Sequence, residues 1–325
     1  MEGLEAQRKE FESYRSRVKS FNFVFFVAML AAGIFLGDGH TLYSEDGTAV
    51  NGSLFGAMLA FFIAVFVIVA IWQNVTKKEK ELKDAFKGGI VAAELRNAFQ
   101  DVDYQPELAY PDEYMKKLGV FKNFAQTKGE DYVRAKYRGR QVSRCDEKLY
   151  VEEKYEDKDS DGNIEIRTGY VRSFAGSAAD LELSSPCPAR LLICADGMDH
   201  ASIISKQGWA PDEMPIFGDA ATDIFFDTLK FGREYHVNGP DNESARAMLT
   251  PRRAECLRKL DVIIPEHFAV LFEGDKLHLI VSGENLLDPD LKERSAPMDE
   301  QRERIVSEVG KLTERYDLML ELEKE

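Results

Sequence analysis

Two uninterrupted apolar runs, Phe23 to Gly37 and Leu54 to Trp72, stand near the start of the chain, and neither carries a charged side chain. A helix needs roughly 20 such residues to cross a bilayer core about 30 Å thick. The second run has that length, and the first reaches it with Ser20 to Asn22 at the interface. The pattern therefore predicts two membrane spans, at about 21–37 and 54–72. Beyond them, Lys77 to Gln100 places Leu82, Phe86, Ile90, Leu95 and Phe99 near one face at helical spacing, with Gly88-Gly89 as a candidate kink. Period-two alternation then takes over at Tyr132–Tyr137, Gln141–Cys145, Leu149–Tyr155 and Ile164–Phe174, and Arg190–Cys194 reads as a further short apolar strand. Short polar turns between these segments predict an antiparallel sheet. Asn242 to Asp261 reads as helical with a break at Thr250-Pro251, where threonine can cap and proline can start a second piece. Phe268–Phe272 and Leu277–Val281 form a hairpin around Gly274-Asp275. From Met298, Ile305, Val309, Leu312, Tyr316 and Met319 line one face of a last helix.

The predicted fold class is α+β, a two-helix transmembrane hairpin followed by a mainly antiparallel β-sheet domain with packed helices. Its parts are an N-terminal segment (1–20), the hairpin (21–73), a membrane-proximal helix (74–104), the α+β domain (105–296) and a C-terminal helix (297–325).

Charge orients the hairpin. Arg8, Lys9, Arg15, Arg17 and Lys19 precede the first run, and Lys77, Lys78, Lys80, Lys83 and Lys87 follow the second. The connecting segment, Asp38 to Ser53, has no Lys or Arg. Basic flanks stay in the cytoplasm, so both termini are expected there, in a multi-pass protein of the bacterial inner membrane. The charged leader and the full second span speak against a cleaved signal peptide. No Asp, Glu, Lys, Arg or His lies inside either run, which removes the usual mark of an ion path. The formal net charge is −15, so nucleic acid is not an expected partner. Cys145, Cys187, Cys194 and Cys256 show no C-x-x-C spacing and are expected to be reduced, buried thiols.

Three constellations bear on chemistry. Asp157, Asp159 and Asp161, followed by Gly162, copy the front half of a calcium-binding loop, but Thr168 stands where the bidentate Glu belongs. A solvated hairpin tip is the rival reading. Arg246, Arg252, Arg253, Arg258 and Lys259 cluster in the Asn242–Asp261 helical region and could meet anionic headgroups or a partner; the alternative is a solvated face paired with the domain's own acids. Asp199-His200 is a candidate acid/base pair without a nucleophile elbow, and no cofactor-binding motif is present.

Leu229-Lys230-Phe231, Glu234-Tyr235 and Val237, the segment Ser244 to Pro251, the strands Phe268–Phe272 and Leu277–Val281, and Gly129-Glu130-Asp131 opening a strand together resemble the bacterial family catalogued as domain of unknown function 3137. The resemblance implies an inner-membrane protein with two spans and a cytoplasmic α+β domain, often encoded near LemA-type membrane proteins. It implies no catalytic residues. The expected function is a membrane-anchored binding or scaffold module holding a protein or lipid partner at the bilayer. A membrane-tethered enzyme of unknown reaction, with its site around Asp199 and His200, is the alternative.

Overall fold

The computed structural model describes residues 2–37, 52–121, 124–158, 164–195, 222–224, 235–240, 242–283, 286–291 and 296–324. Within helices and strands, the side chains of 24, 26–37, 52–61, 63–64, 158, 195, 222–224, 235–236, 238 and 242 lie outside the described set. The chain divides into two compact units, residues 1–89 with 289–303, and residues 90–288 with 304–325.

The first unit is built on two long helices, α1 (Glu2–Gly37) and α2 (Gly52–Phe86), which pack on one another. Phe11 of α1 and Leu82 and Phe86 of α2 are buried. Polar groups fix their charged ends. Arg8 is buried between Glu5 and Glu12, at 2.7 and 2.6 Å, and Lys78 of α2 reaches Glu10 of α1 at 2.9 Å. Hydrogen bonds from Arg8, and then from the backbone N–H of Met298, pull the Glu5 carboxyl down to about 2. Among the described residues no helix is long and apolar enough to cross a membrane. The spans expected at 21–37 and 54–72 fall largely on side chains outside the described set, and the charged first 20 residues of α1 belong to the same continuous helix. The helices thus form a hairpin.

The second unit is α+β. Its strands are β1 (Gln100–Gln105), β2 (Gln126–Tyr137), β3 (Arg140–Lys158), β4 (Ile164–Glu182), β5 (Leu191–Ala195), β6 (Thr222–Ile224), β7 (Tyr235–Gly239), β8 (Phe268–Glu273) and β9 (Lys276–Ser282). Among the described residues they make one sheet in the order β1-β2-β3-β4-β9-β8-β5-β7-β6, and every neighbouring pair is antiparallel. The glycine pair Gly88-Gly89 sits in a π turn (Lys87–Val91) that leads into α3 (Ala92–Ala98). Where the sequence reading carried a helix to Gln100, the chain is already the edge strand β1. The segments read as two strands, 141–145 and 149–155, are one 19-residue strand, β3.

Each face of the sheet is covered. On one, Val142, Leu181, Phe268, Val270, Phe272, Leu277, Leu279 and Val281 share a side by register. The 304–323 part of α7 (Met298–Glu323) packs there through Leu312, Tyr316 and Met319, which line a small void with Leu279 and Val281. On the other face, α4 (Asp112–Leu118) and the following residues bring Met115, Leu118, Val120, Phe121 and Phe124 onto Cys145, Leu149, Phe174, Ala178, Leu271 and Ile280. Burial of such side chains is worth roughly 1.5–3 kcal/mol each. Close approach of β4 to β9 requires glycine at 176, because a Cβ there would lie 2.1 Å from the Val281 carbonyl oxygen.

Thr250 caps α6 (Pro251–Ile263), accepting from the Arg253 backbone N–H at 3.3 Å, as Thr250-Pro251 suggests in the sequence. The side chain of Arg253 then joins two helix ends. It donates to the carbonyls of Met248, the last residue of α5 (Asn242–Met248), and of Leu322 in α7, at 2.7 and 2.8 Å, and lies over the Phe272 ring. Charged donors on the last carbonyls of a helix satisfy groups that have no intrahelical partner. Arg253→Met, which keeps the apolar stem, is expected to lower the unfolding free energy of the full chain by about 2 kcal/mol in denaturant titration. Arg252→Met, two atoms of backbone away and exposed, should change it by less than about 0.5 kcal/mol.

Candidate functional site

The densest polar constellation among the described residues lies at the centre of the sheet, on the face covered by α4. Ser143 of β3, Asp180 of β4 and His278 of β9 occupy one level of three adjacent strands. Asp180 is the hub. Its Oδ1 lies 2.8 Å from His278 Nδ1, Tyr114 Oη donates to its Oδ2, Ser143 Oγ donates to Oδ2 at 3.4 Å, and Lys276 Nζ approaches at 3.6 Å. Burial pushes the Asp180 carboxyl up, but the hydrogen bonds from His278 and Tyr114 and the charge of Lys276 outweigh it and hold the group below its ordinary value. Tyr110 Oη shares a hydrogen bond of 2.8 Å with Ser143 Oγ. The partners converge on one acceptor, which describes a satisfied buried carboxylate rather than a nucleophile activated by a base.

Two residues along β3, the same face carries Cys145 and Glu147. Glu147 Oε1 accepts from the Tyr110 backbone N–H at 2.8 Å and from Cys145 Sγ at 3.2 Å. Burial raises the Glu147 carboxyl to about 7, and burial likewise pushes the Cys145 thiol well above its ordinary value. Cys145 is therefore a poor nucleophile. All four cysteines are free thiols, with Cys145, Cys194 and Cys256 buried. The opposite face carries a second buried pair, Arg144 and Asp146, in contact at 2.5 Å. The void beside Arg144, Arg315 and Tyr316 is about 10 Å³, room for a water and nothing larger.

Glu130, Asp131 and Asp288 form a carboxylate group whose oxygens lie within 4.8 Å of one another. Asp131 has left-handed backbone, φ +62, at the irregularity that interrupts β2 between Glu130 and Val133. The displaced backbone N–H groups of Asp131 and Tyr132 donate to the carbonyls of Pro106 and Leu108, at 2.9 and 3.0 Å. Tyr104 Oη donates to Asp131 at 2.6 Å, and Lys148 approaches Glu130 at 3.7 Å. Gly129 must be glycine, since a Cβ would meet the Asp146 carbonyl oxygen at 2.2 Å. The sequence reading singled out Gly129-Glu130-Asp131 as a strand opening and had no signal for Asp288, more than 150 positions away.

Asp157 pairs with Arg167 at 2.8 Å on the β3–β4 hairpin, while Asp159 and Asp161 lie outside the described residues. So do Asp199 and His200. Arg258 faces Glu255 at 3.1 Å and Lys259 faces Glu321 at 3.3 Å; Arg253 is the helix latch described above; Arg246 and Arg252 are exposed.

The first unit offers a surface of another kind. Phe62, Val65, Phe66, Val69 and Trp72 of α2, spaced along the helix at three and four residues, are exposed by 41 to 74 %. An open groove of about 610 Å³ runs from Ile68 past Trp72 to Thr76, Lys77 and Lys80. On α1, Phe21 and Phe23 are exposed as well. A continuous apolar stripe of this kind marks contact with a partner or a membrane.

Residues 173–321 match the family described as "Protein of unknown function (DUF3137)". Among solved structures, the mycobacterial trehalose monomycolate transport factor A is similar at 10 % identity and a TM-score of 0.35, over 71 % of this chain and 93 % of that one. No curated protein matches the chain.

Glu147 sets a testable pH dependence. Its folded value, about 7, lies above the unfolded carboxylate value, so the folded state binds more protons between them and loses stability as pH rises through that window. The shift corresponds to at most about 3 kcal/mol. Glu147→Gln keeps an acceptor for Tyr110 and should flatten the fall in unfolding free energy between about pH 4.5 and pH 7. Equal slopes for parent and variant would show that Glu147 ionises normally.

Proposed function

We propose that this member of the DUF3137 family is a membrane-anchored binding module of the bacterial inner membrane. In this reading α1 and α2 cross the bilayer as a hairpin, and the α+β unit works in the cytoplasm as a scaffold that holds a partner at the membrane surface. The supporting observation is the exposed stripe Phe62, Val65, Phe66, Val69 and Trp72 on a helix whose preceding residues, Leu54 to Phe61, contain no charge. Lipid is the solvent that suits such a surface. Trp72 followed by Lys77, Lys78 and Lys80 has the order of an interfacial aromatic and a retained basic flank. The basic leader of α1 gives the same side to the other end of the hairpin.

The chemistry of the second unit favours binding over catalysis. Ser143, Asp180, His278 and Tyr114 are engaged with one another, and the void beside Arg144 and Tyr316 is about 10 Å³. Protein is the favoured partner, and the family resemblance points to a LemA-type membrane protein. Headgroup contact in this reading falls to the exposed Arg246, Arg252, Arg258 and Lys259; the exposed ion pairs of Arg258 and Lys259 are weak enough to exchange.

Membranes from bacteria expressing the full chain, washed with alkaline carbonate, should retain it in the pellet. A tag fused after Glu325 should resist protease in intact spheroplasts and become accessible on lysis. Phe62→Asp with Phe66→Asp should reduce the carbonate-resistant fraction severalfold, since an acid near mid-span costs about 2.5–3.5 kcal/mol. Extraction of the parent chain by carbonate, or cleavage of the tag in intact spheroplasts, would reject the anchor or its orientation respectively.

A further inference from the structure

The β3–β4 hairpin outruns its neighbours. β2 pairs with β3 only as far as Tyr150, and β9 pairs with β4 only from Gly176, so residues 151–158 and 164–172 pair with each other alone among the described strands. On this two-stranded ribbon Tyr155, Ile164, Ile166 and Tyr170 are exposed by 51 to 73 %. An open strand edge of this length is a template for another strand.

The sequence of that edge specifies what fits it. Tyr150 turns its carbonyl toward the β2 side, where it accepts from the Ala125 N–H at 2.7 Å. Backbone groups alternate along a strand, so Glu152, Lys154, Glu156 and Lys158 also turn theirs to that edge. The same four positions read acid, base, acid, base. Laid antiparallel on a second copy about a two-fold axis at Tyr155, position 152 comes level with position 158, Lys154 meets Glu156, and the reverse pairs follow by symmetry. The backbone groups needed for a ladder face each other in this register. Axes at residue 154 or 156 would place Lys154 or Glu156 against itself, and registers of odd offset would set outward-turned groups against inward-turned ones. On the other side of the ribbon, Glu153 comes opposite Asp157 of the second copy. Those two like-charge contacts are outnumbered by four opposite-charge ones, and Arg167, already 2.8 Å from Asp157, lies level with Tyr155 to offset them.

We propose that the outer edge of β3 is a homodimer interface, pairing residues 152–158 of two copies antiparallel about Tyr155. An edge blunted only for solubility needs charge, not a self-complementary order of it. The proposal is independent of the membrane reading, because its test runs on detergent-solubilised protein.

In the proposed register Tyr155 faces its own copy as a non-hydrogen-bonded pair, with Cα atoms about 4.5 Å apart. That separation lies within disulfide range. Under mild oxidation of the purified full chain, Tyr155→Cys should give a covalent dimer that the parent does not give. Glu152→Cys alone should not link, but a mixture of Glu152→Cys and Lys158→Cys chains should. In sedimentation equilibrium, Lys154→Glu and Glu156→Lys should each weaken the dimer roughly tenfold, and the double exchange, which restores opposite charges, should recover it. These side chains are exposed or at the ribbon edge, so circular dichroism is expected to be unchanged. A monomeric parent, a Tyr155→Cys chain that stays unlinked, or a double exchange as weak as the single ones would overturn the pairing. Linkage of Tyr155→Cys to a different protein in native membranes, with none to itself, would assign the edge to a heterologous partner and overturn it equally.

Discussion

The pairing of β3 with β4 is the constraint on which the second unit depends. It runs from Val142 opposite Leu181 to Lys158 opposite Ile164, with one irregularity at Leu149/Tyr150. Side chains alternate between faces, so this register decides that Arg144 and Asp146 lie on the face that α7 covers, and that Ser143, Cys145, Glu147 and Asp180 lie on the face that α4 covers. A slip of one residue would exchange the two sets. It would also part Ser143 from Asp180 and Glu147 from the Tyr110 N–H, and turn Arg144 and Asp146 toward Phe174, Ala178 and Ile280.

That consequence gives the buried charges a role. A buried ion pair gains little over well-packed apolar side chains, because removing both ions from water costs about as much as their attraction returns. Breaking such a pair is a different matter, costing about 3–5 kcal/mol. Asp180, which meets His278 of β9 and Tyr114 of α4, therefore penalises a wrong β4–β9 register more than it favours the right one, while Arg144–Asp146, within one strand, would be carried whole onto the face that α4 covers by a slip of β3. Glu147 has no comparable cation, and its carboxyl rises to about 7 accordingly. Asp180 and Glu147 stand on one face of one sheet; the number and charge of their donors set them apart.

The same charges explain which parts of the fold were legible in the sequence. Period two is clear in Phe268–Phe272 and Leu277–Val281, where every position facing α7 is apolar, and the hairpin β8–β9 follows it closely. Thr250-Pro251 marks the junction of α5 and α6 because capping is local chemistry. β3 was split in two because Asp146-Glu147-Lys148 interrupts its apolar alternation, and only tertiary partners make a buried Asp and Glu acceptable there. β1 was missed for a related reason: Gln100 to Gln105 has no inward apolar stripe, and its strand character comes from pairing with β2. The polar hub was not legible at all. Tyr114, Ser143, Asp180 and His278 lie as far as 164 positions apart, and no spacing in one sequence relates them. Arg253 was read as one of a basic cluster, whereas its three neighbours in space, Met248, Leu322 and Phe272, assign it to the fold.

Among the described residues two exposed apolar surfaces remain, and the proposed readings give them different surroundings. Along α2 the apolar positions from Leu54 to Trp72 are joined by no charged residue, and over some five turns the Trp72 indole N–H, at the end of the run, is the one strong side-chain donor. A hydrocarbon phase meets that condition, and an aqueous protein interface rarely does, since such interfaces carry about one hydrogen bond per 100–200 Å². On the β3–β4 ribbon Ile164, Ile166 and Tyr170 instead share a side with Glu152, Lys154 and Glu156, and the strand edge beside them presents backbone donors and acceptors. Lipid cannot satisfy those groups, because open sheet edges are excluded from hydrocarbon. A two-stranded ribbon is also marginal on its own in water. The surroundings that suit it are another polypeptide, one able to continue the ladder and match the alternating charges.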